Sequence, residues 1–181
     1  MKNNKVLIVV DMQNDFIDGS LGTKEAQKIV PNVVNKIKEW DGDIVFTYDT
    51  HFDDYFSTKE GKKLPVKHCI EGTHGHEIKD CIIEALIDNE HENCASFYIN
   101  KKTFGSTTLP EMLKVYNYDY IELVGLCTDI CVVSNALLLK ANFTEADIAV
   151  DASCCAGVTP ETHRAALTTM KMCQIDIINE E

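Results

Sequence analysis

The feature that most constrains the fold is a regular alternation of apolar, strand-like runs with helical patterns along the chain. The first run, Lys5–Val10, is continuously apolar after its lysine and rich in β-branched residues, which is typical of a strand buried on both faces. Five further runs predict strands at residues 43–48, 95–99, 120–124, 146–150 and 174–178. Apolar residues at helical spacing predict helices at residues 29–40, 77–86, 109–116, 129–142 and 160–172.

Strands that alternate with helices predict parallel pairing through right-handed crossovers. The expected architecture is therefore α/β, a three-layer α/β/α sandwich with a mostly parallel sheet of about six strands. No linker or internal repeat interrupts the 181 residues, a length that suits a single domain spanning residues 1–181. Residues 50–75 form the longest irregular stretch, and loops of this length in compact domains are usually functional.

Composition and charge exclude several classes of partner. The net charge of −12 argues against a surface that binds phosphates, so nucleic acid and anionic lipid are not expected partners. No apolar run approaches the roughly 18 residues of a membrane-spanning helix, and the N-terminal segment does not resemble a secretory signal. We therefore expect a cytoplasmic protein whose eight cysteines are reduced thiols. The sequence leaves open whether the chain forms a homo-oligomer.

Side chains with catalytic potential follow four of the predicted strands, where parallel sheets place their ligand sites. Asp11 follows the first strand, Asp49 and His51 the second, Lys101 the third and Cys131 the fourth. Each also has an ordinary structural interpretation, such as a strand-end cap for Asp11 or a solvated surface lysine for Lys101. Their convergence at one sheet edge favours a role in chemistry.

Cys131 has the most specific local context among these residues. Thr128 can cap the helix that follows, which places Cys131 in the first helical turn. There, the helix dipole and the unpaired backbone amides favour the thiolate, which is the reactive form of cysteine. From this segment alone, a small buried thiol without a chemical role is an equally good interpretation.

Four potential metal ligands occur in the long loop or directly before it: Asp49, His51, Glu60 and His68. Asp49 and His51 are two residues apart, so on an extended backbone their side chains point to the same side. Two imidazoles and two carboxylates suit a divalent zinc, manganese or iron ion. The alternative is a polar surface loop with scattered histidines, since the chain contains six histidines.

Three motifs together resemble those of the isochorismatase-like cysteine hydrolases, and specifically their nicotinamidase branch. They are Asp11-Met-Gln-Asn-Asp-Phe16, Lys101-Lys-Thr-Phe104 and Gly125-Leu-Cys-Thr-Asp-Ile-Cys-Val132. The resemblance covers nearly the whole chain and implies the isochorismatase-like hydrolase fold. It also implies that Asp11, Lys101 and Cys131 are catalytic, with Cys131 as the nucleophile. Lys102 is the less favoured choice for the lysine, because the family's aromatic residue falls three positions after Lys101.

The same resemblance implies backbone and binding roles around the nucleophile. It implies a cis peptide bond between Leu126 and Cys127, and an oxyanion hole formed by the backbone amides of Cys127 and Cys131. It also places Phe16 and Leu126 at the substrate, with Phe16 in the position of the family's ring-stacking aromatic residue.

The metal ligands resemble those of nicotinamidases, with one departure. Asp49, His51 and His68 match the family pattern. Many relatives have a further histidine six residues after the first, where this chain has Ser57. Glu60 lies where other relatives use a glutamate instead, so the resemblance implies Glu60 as the remaining ligand.

The resemblance implies hydrolysis of nicotinamide to nicotinic acid and ammonia through a cysteine thioester, with a role in NAD salvage. The expected cofactor is one divalent metal, zinc in first place and manganese or iron as alternatives, which would bind the pyridine nitrogen. The expected partner is the small-molecule amide substrate. Two other functions remain open: a cysteine hydrolase of a carbamoyl or ureido compound, and a non-catalytic protein of the same fold that binds a small ligand.

Overall fold

The computed structural model describes residues 4–89 and 96–180, and this part of the chain contains a six-stranded sheet. The strands are β1 (Lys5–Val10), β2 (Asp43–Asp49), β3 (Ser96–Lys101), β4 (Tyr120–Leu126), β5 (Asp147–Ala156) and β6 (Asp176–Ile178). They are arranged in the order β3-β2-β1-β4-β5-β6, and every adjacent pair is parallel. The predicted sheet is therefore confirmed, although Ala95, the predicted start of its third strand, lies outside the described residues.

Helices cover both faces of this sheet. They are α1 (Asn14–Ile17), α2 (Lys24–Glu39), α3 (Lys59–Lys63), α4 (Asp80–Ile87), α5 (Thr108–Leu113), α6 (Val133–Asn142) and α7 (Pro160–Met172). Alternate residues of β1 enter two separate cores: Val6, Ile8 and Val10 pack with α5, α6 and α7, whereas Leu7 and Val9 pack with α2 and α4. The predicted α/β/α sandwich is thus confirmed. None of the helices in the described segments is long and apolar enough to cross a membrane.

Element boundaries differ from the predicted ones where the hydrophobic pattern is weak. α2 begins at Lys24, before the predicted start at residue 29, because the Thr23 side chain caps it by accepting a hydrogen bond from the Ala26 amide. The predicted irregular stretch 50–75 contains the short helix α3 and a 3-10 turn at Tyr55–Ser57. β5 continues to Ala156, beyond the predicted end at residue 150.

The strand order reverses between β1 and β4, and this reversal determines where a ligand can bind. In open parallel sheets, ligands bind beyond the carboxyl ends of the strands at such a switch point. Asp11 directly follows β1, and Cys127 directly follows β4. Asp49 and Lys101 are the last residues of β2 and β3 and are opposite each other in the strand pairing. The topology therefore brings the predicted site residues to one sheet edge.

Gly125 allows β4 to approach β1 closely at this edge. It has φ of +116°, and a Cβ there would overlap the Val10 carbonyl oxygen.

We expect Gly125→Ala to cost more than about 3 kcal/mol of unfolding free energy, because the clash adds to backbone strain. Gly72→Ala is the matched control: φ is +78°, but a Cβ would meet no atom within 4 Å, so only the backbone cost of about 1–2 kcal/mol applies. Urea unfolding measures both costs, and equal values would contradict the clash.

A partly buried ionic network joins α2 to the sheet away from this edge. Lys36 Nζ lies 2.7 Å from Glu122 Oε1 and 2.8 Å from Asp151 Oδ2. Ser153 and Asn179 also donate hydrogen bonds to the Asp151 carboxylate. Burial alone would raise the pKa of Asp151, but the hydrogen bonds from Lys36, Ser153 and Asn179 outweigh burial and lower this pKa below its ordinary value.

We expect acid to weaken the fold partly through Asp151. Because its pKa is lower in the folded protein, its contribution to stability is complete above the unfolded-state pKa of about 3.9 and is lost as pH falls through the folded-state pKa. Asp151→Asn should therefore cost about 1–3 kcal/mol near neutral pH and progressively less at acidic pH. Urea unfolding of both proteins over a pH series tests this. A difference that does not change with pH would contradict the prediction.

Candidate active site

Asp11, Lys101 and Cys131 meet in one buried group, the reactive trio. Lys101 Nζ lies 2.6 Å from Asp11 Oδ2 and 3.5 Å from Cys131 Sγ. The three residues are 0%, 3% and 5% exposed, respectively. Lys102, the alternative lysine, is exposed, so the structure brings Lys101 and not Lys102 to the thiol.

Thr47 in β2 holds Asp11 at the end of β1. The Asp11 amide donates a hydrogen bond to the Thr47 carbonyl oxygen at 3.2 Å, and the Thr47 hydroxyl donates to Asp11 Oδ1 at 2.6 Å. Asp11 has φ of +48°, a left-handed conformation that is uncommon outside glycine and often occurs at functional sites. One carboxylate oxygen therefore contacts Thr47, and the other contacts Lys101.

Lys101 supplies positive charge to two carboxylates in this site. Its Nζ lies 3.2 Å from Asp49 Oδ1 in addition to its contact with Asp11. Burial alone would lower the pKa of Lys101, but the carboxylates of Asp11 and Asp49 outweigh burial and raise it. Burial raises the pKa of Asp11, and Lys101 opposes that shift. Lys101 is therefore an ammonium group that stabilises the ionised form of Asp11.

The surroundings of Cys131 favour the protonated form of its thiol. Burial is the largest influence and raises the pKa of the thiol well above its ordinary value; the Asp11 carboxylate raises it further, while Lys101 lowers it. The sequence-based expectation that the helical turn favours a thiolate is thus outweighed by burial. Asp11 is the carboxylate of the same trio, and its interaction with the Cys131 side chain places it where it can accept the thiol proton.

Cys131 lies in a short π-helical turn, Thr128–Val132, which we call the nucleophile turn and which leads into α6. Its N-cap is Cys127 and not Thr128, so the predicted capping role of Thr128 is wrong. The Cys127 carbonyl oxygen accepts two backbone hydrogen bonds from the turn. The Leu126–Cys127 peptide bond is cis, as the resemblance implies.

The two predicted substrate-binding residues lie in different environments. Phe16 is half-buried, and its ring centroid is 5.6 Å from that of His68. Leu126 is 1% exposed and packs in the core with α2 and α4. The substrate-binding roles of Phe16 and Leu126 stay predictions.

Asp49, His51, Glu60 and His68 converge in a second group, the ligand cluster, whose candidate ligand atoms all lie within 4.8 Å of one another. Asp49 Oδ2 is 3.0 Å from His51 Nε2 and 3.4 Å from His68 Nε2. Glu60 Oε1 is 3.5 Å and 3.9 Å from the same two nitrogens. Metal–ligand bonds of about 2.0–2.2 Å separate neighbouring donor atoms by roughly 3.0–3.6 Å. Three of the four spacings lie in this range and that between Glu60 and His68 is slightly longer, so the cluster could hold one divalent ion.

The orientation of the His68 ring and the negative charges of the ligand cluster also suit a bound cation. His68 Nδ1 lies 2.8 Å from the Val66 carbonyl oxygen, which leaves Nε2 for the cluster. Burial alone would lower the pKa of His51, but Asp49 and Glu60 outweigh burial and raise it to about 9. Carboxylates that favour a proton on this imidazole favour a metal cation for the same electrostatic reason. Ser57 is exposed, in the turn Tyr55–Ser57.

Comparison with known proteins places the chain in a family. Residues 5–181 match the isochorismatase domain family. The chain belongs to the isochorismatase family.

Individual relatives of this isochorismatase-family protein cover nearly its whole length. It is 27% identical over 185 residues to the nicotinamidase/pyrazinamidase of Mycobacterium tuberculosis, with 96% of this chain and 98% of the relative covered. It is 30% identical over 181 residues to an Arabidopsis thaliana protein named "Probable inactive nicotinamidase", with 93% and 88% covered. The crystal structure of Pyrococcus horikoshii pyrazinamidase in complex with zinc matches with a TM-score of 0.77, 28% identity and 98% and 99% coverage.

Two buried amide side chains support the site of this isochorismatase-family protein, and sequence analysis did not single them out. Gln13 Nε2 donates to the Asp49 carbonyl oxygen at 2.9 Å, and Gln13 Oε1 accepts from the Asp49 amide at 2.8 Å. Asn135 Nδ2 donates to the Cys131 carbonyl oxygen at 2.8 Å, and its Oδ1 accepts from the Ser106 amide at 2.9 Å. The position of Gln13 within the first motif could have indicated its role in the site. Asn135 is a polar residue in a helix, and nothing in the sequence around it indicates such a role.

Proposed function

We propose that this protein is a nicotinamidase, which hydrolyses nicotinamide to nicotinic acid and ammonia through a thioester at Cys131. One observation carries the proposal: Asp49 is shared by both groups of the site, since Oδ1 lies 3.2 Å from Lys101 Nζ and Oδ2 lies 3.0 Å from His51 Nε2. A metal bound by the ligand cluster would therefore hold a heteroaromatic amide beside the Cys131 thiol. The names of several relatives support nicotinamide as that amide.

In the proposed mechanism, Cys131 is the nucleophile and Asp11 is the general base. Asp11 takes the thiol proton as Sγ attacks the carboxamide carbon, and the backbone amides of Cys127 and Cys131 stabilise the resulting oxyanion. A comparable donor contributes about 2.7–4 kcal/mol in other enzymes. The C–N bond then breaks, and Asp11 gives the proton to the departing ammonia. Water, deprotonated by Asp11, hydrolyses the thioester, which releases nicotinic acid and restores the thiol. Lys101 keeps Asp11 ionised for both steps.

The proposed cofactor is one divalent ion, zinc in first place with manganese or iron as alternatives, held by Asp49, His51, Glu60 and His68. Nitrogen and carboxylate ligands without a thiolate suit all three ions. When bound, the metal supplies a coordination position for the pyridine nitrogen of the substrate. Phe16, beside His68, is the proposed stacking partner of the substrate ring.

We further propose that residues 1–181 form one domain that acts in the cytoplasm, where nicotinic acid feeds NAD salvage. The family match over residues 5–181 supports the single domain. The net charge of −12 supports a small-molecule partner over nucleic acid or an anionic membrane.

The deciding experiment measures ammonia release from nicotinamide and metal content on the same purified sample. Release with about one metal per chain is the expected result. Bound metal without ammonia release would indicate that the substrate is another small amide, such as a carbamoyl or ureido compound, and not nicotinamide. Neither metal nor release would indicate a non-catalytic binding protein, and the proposal would be wrong.

His51→Ala is expected to remove the metal and to raise the KM for nicotinamide by at least about tenfold, because one of the two cluster imidazoles is lost. His74→Ala is the matched control, since His74 is exposed and contacts Glu77 outside the ligand cluster. Elemental analysis and steady-state kinetics on both variants provide the measurement. Unchanged metal content in His51→Ala would disprove the ligand assignment.

A further inference from the structure

Residues at and just before the start of α7 form hydrogen bonds to the nucleophile turn. His163 Nδ1 lies 2.8 Å from Thr128 Oγ1. The Asp129 carboxylate accepts hydrogen bonds from the Val158 amide at 3.1 Å and 3.2 Å. Thr128 is fully buried, and His163 is half-buried. The first two residues of the turn are therefore held by a segment far from the reactive trio in sequence.

His163 has little freedom to move away from Thr128. A Cβ on Gly157 would lie only 2.8 Å from the His163 amide nitrogen, so the two backbones are in close contact. The His163 amide also donates a backbone hydrogen bond to the Thr159 carbonyl oxygen at 3.0 Å, in the first turn of α7. Burial lowers the pKa of His163, which favours the uncharged ring. In the tautomer that carries its proton on Nε2, Nδ1 accepts a hydrogen bond from the Thr128 hydroxyl. The imidazole is thus a fixed support for this hydroxyl.

We propose that His163 is a positioning residue for the reaction at Cys131, an inference that rests on the proposed function. Thr128 directly follows Cys127 and lies in the same turn as Cys131. By holding Thr128, His163 sets the orientation of the two backbone amides that would stabilise the oxyanion. A misplacement of about 1 Å in such a site can cost roughly 100-fold in rate. His163 acts through Thr128 and does not contact the substrate.

The test compares variants that remove or keep this one hydrogen bond. His163→Ala is expected to lower kcat by about tenfold or more with KM within about twofold, because substrate affinity depends on the ligand cluster and Phe16. His163→Asn, whose amide reaches nearly the position of Nδ1, should restore kcat to within about threefold. Thr128→Val keeps the shape but lacks the hydroxyl, and should match His163→Ala. The double variant should lose no more than either single variant, because both remove the same contact.

Thr162→Ala is the matched control, because it removes the Thr162 hydroxyl from the capping box that Thr159 and Thr162 form at the start of α7, while every contact to the nucleophile turn and the backbone bond of His163 remain. It should lower the melting temperature while kcat stays within about twofold. Three outcomes would overturn the inference: an unchanged kcat in His163→Ala, an equal kcat loss in Thr162→Ala, or additive losses in the double variant. If His163→Ala does not fold, the kcat and KM of Thr128→Val decide the question.

Wild-type turnover of nicotinamide, measured first, separates this inference from the proposed function. If the wild type releases no ammonia, the proposed function fails, and positioning is then measured as the rate at which iodoacetamide alkylates Cys131, followed by mass spectrometry. A displaced turn changes both the burial of the thiol and its distance from Lys101, so the alkylation rate of His163→Ala should differ from the wild-type rate by at least about threefold, while Thr162→Ala reacts at the wild-type rate. Equal rates in the wild type and His163→Ala would then overturn the positioning role.

Discussion

Replacing Cys131 with alanine is expected to reduce ammonia release from nicotinamide by at least about 10⁴-fold while the protein stays folded. The substitution removes the atom that would form the thioester, so Asp11 and Lys101 are left without a nucleophile. It deletes a single sulfur from a position that is 5% exposed, which costs only about 1 kcal/mol of unfolding free energy. An ammonia assay and a thermal melt of the same preparation measure the two effects.

Cys154→Ala is the control for this prediction. Cys154 is 2% exposed and packs in the core with α2 and α4, so the variant loses a comparably buried thiol outside the reactive trio. Its turnover should stay within about twofold of the wild-type value. Retained turnover in Cys131→Ala would show that Cys131 is not the nucleophile. An equal loss in Cys154→Ala would assign the effect to packing.

Lys101→Met is expected to abolish turnover and also to lower the unfolding free energy by about 3–5 kcal/mol. Methionine keeps much of the aliphatic volume but removes the cation that contacts Asp11 at 2.6 Å and Asp49 at 3.2 Å. The two carboxylates, 0% and 3% exposed, then lose their shared counter-charge. Urea unfolding and ammonia release test the two consequences independently.

Lys102→Met provides the matched comparison, because the adjacent side chain is exposed. We expect its activity within about twofold of the wild-type value and its stability within about 0.5 kcal/mol. If Lys102→Met were the inactive variant and Lys101→Met the active one, the lysine assignment would be reversed.

Local patterns predicted most of the fold because burial imposes them on the sequence. The run at residues 5–10 matches β1 in full, since a strand buried on both faces must be apolar throughout. The predicted helix at residues 160–172 matches α7, whose start carries a threonine cap and a proline. Prediction was weaker at α2, whose first turn is polar, and at the carboxyl end of β5.

The candidate site was predictable to the level of residue types at one sheet edge. Asp11, Asp49, Lys101 and Cys131 each follow or end a strand, and parallel strands place such positions together. The choice of Lys101 over Lys102 agrees with the spacing of the motif, and the structure explains it through the pairing of Lys101 with Asp49 at the ends of β3 and β2.

Hydrophobic periodicity and the residues at strand ends are local properties, so the sequence was enough to predict the α/β architecture and a set of candidate catalytic and metal-ligating residue types. The assembled fold was needed to show that Asp49 joins the reactive trio to the ligand cluster, and that burial raises the pKa of the Cys131 thiol. It was likewise needed to show that His163 holds Thr128 from a distant helix. These features depend on which segments pack together and on how far they exclude water, and both are set only when the chain is assembled.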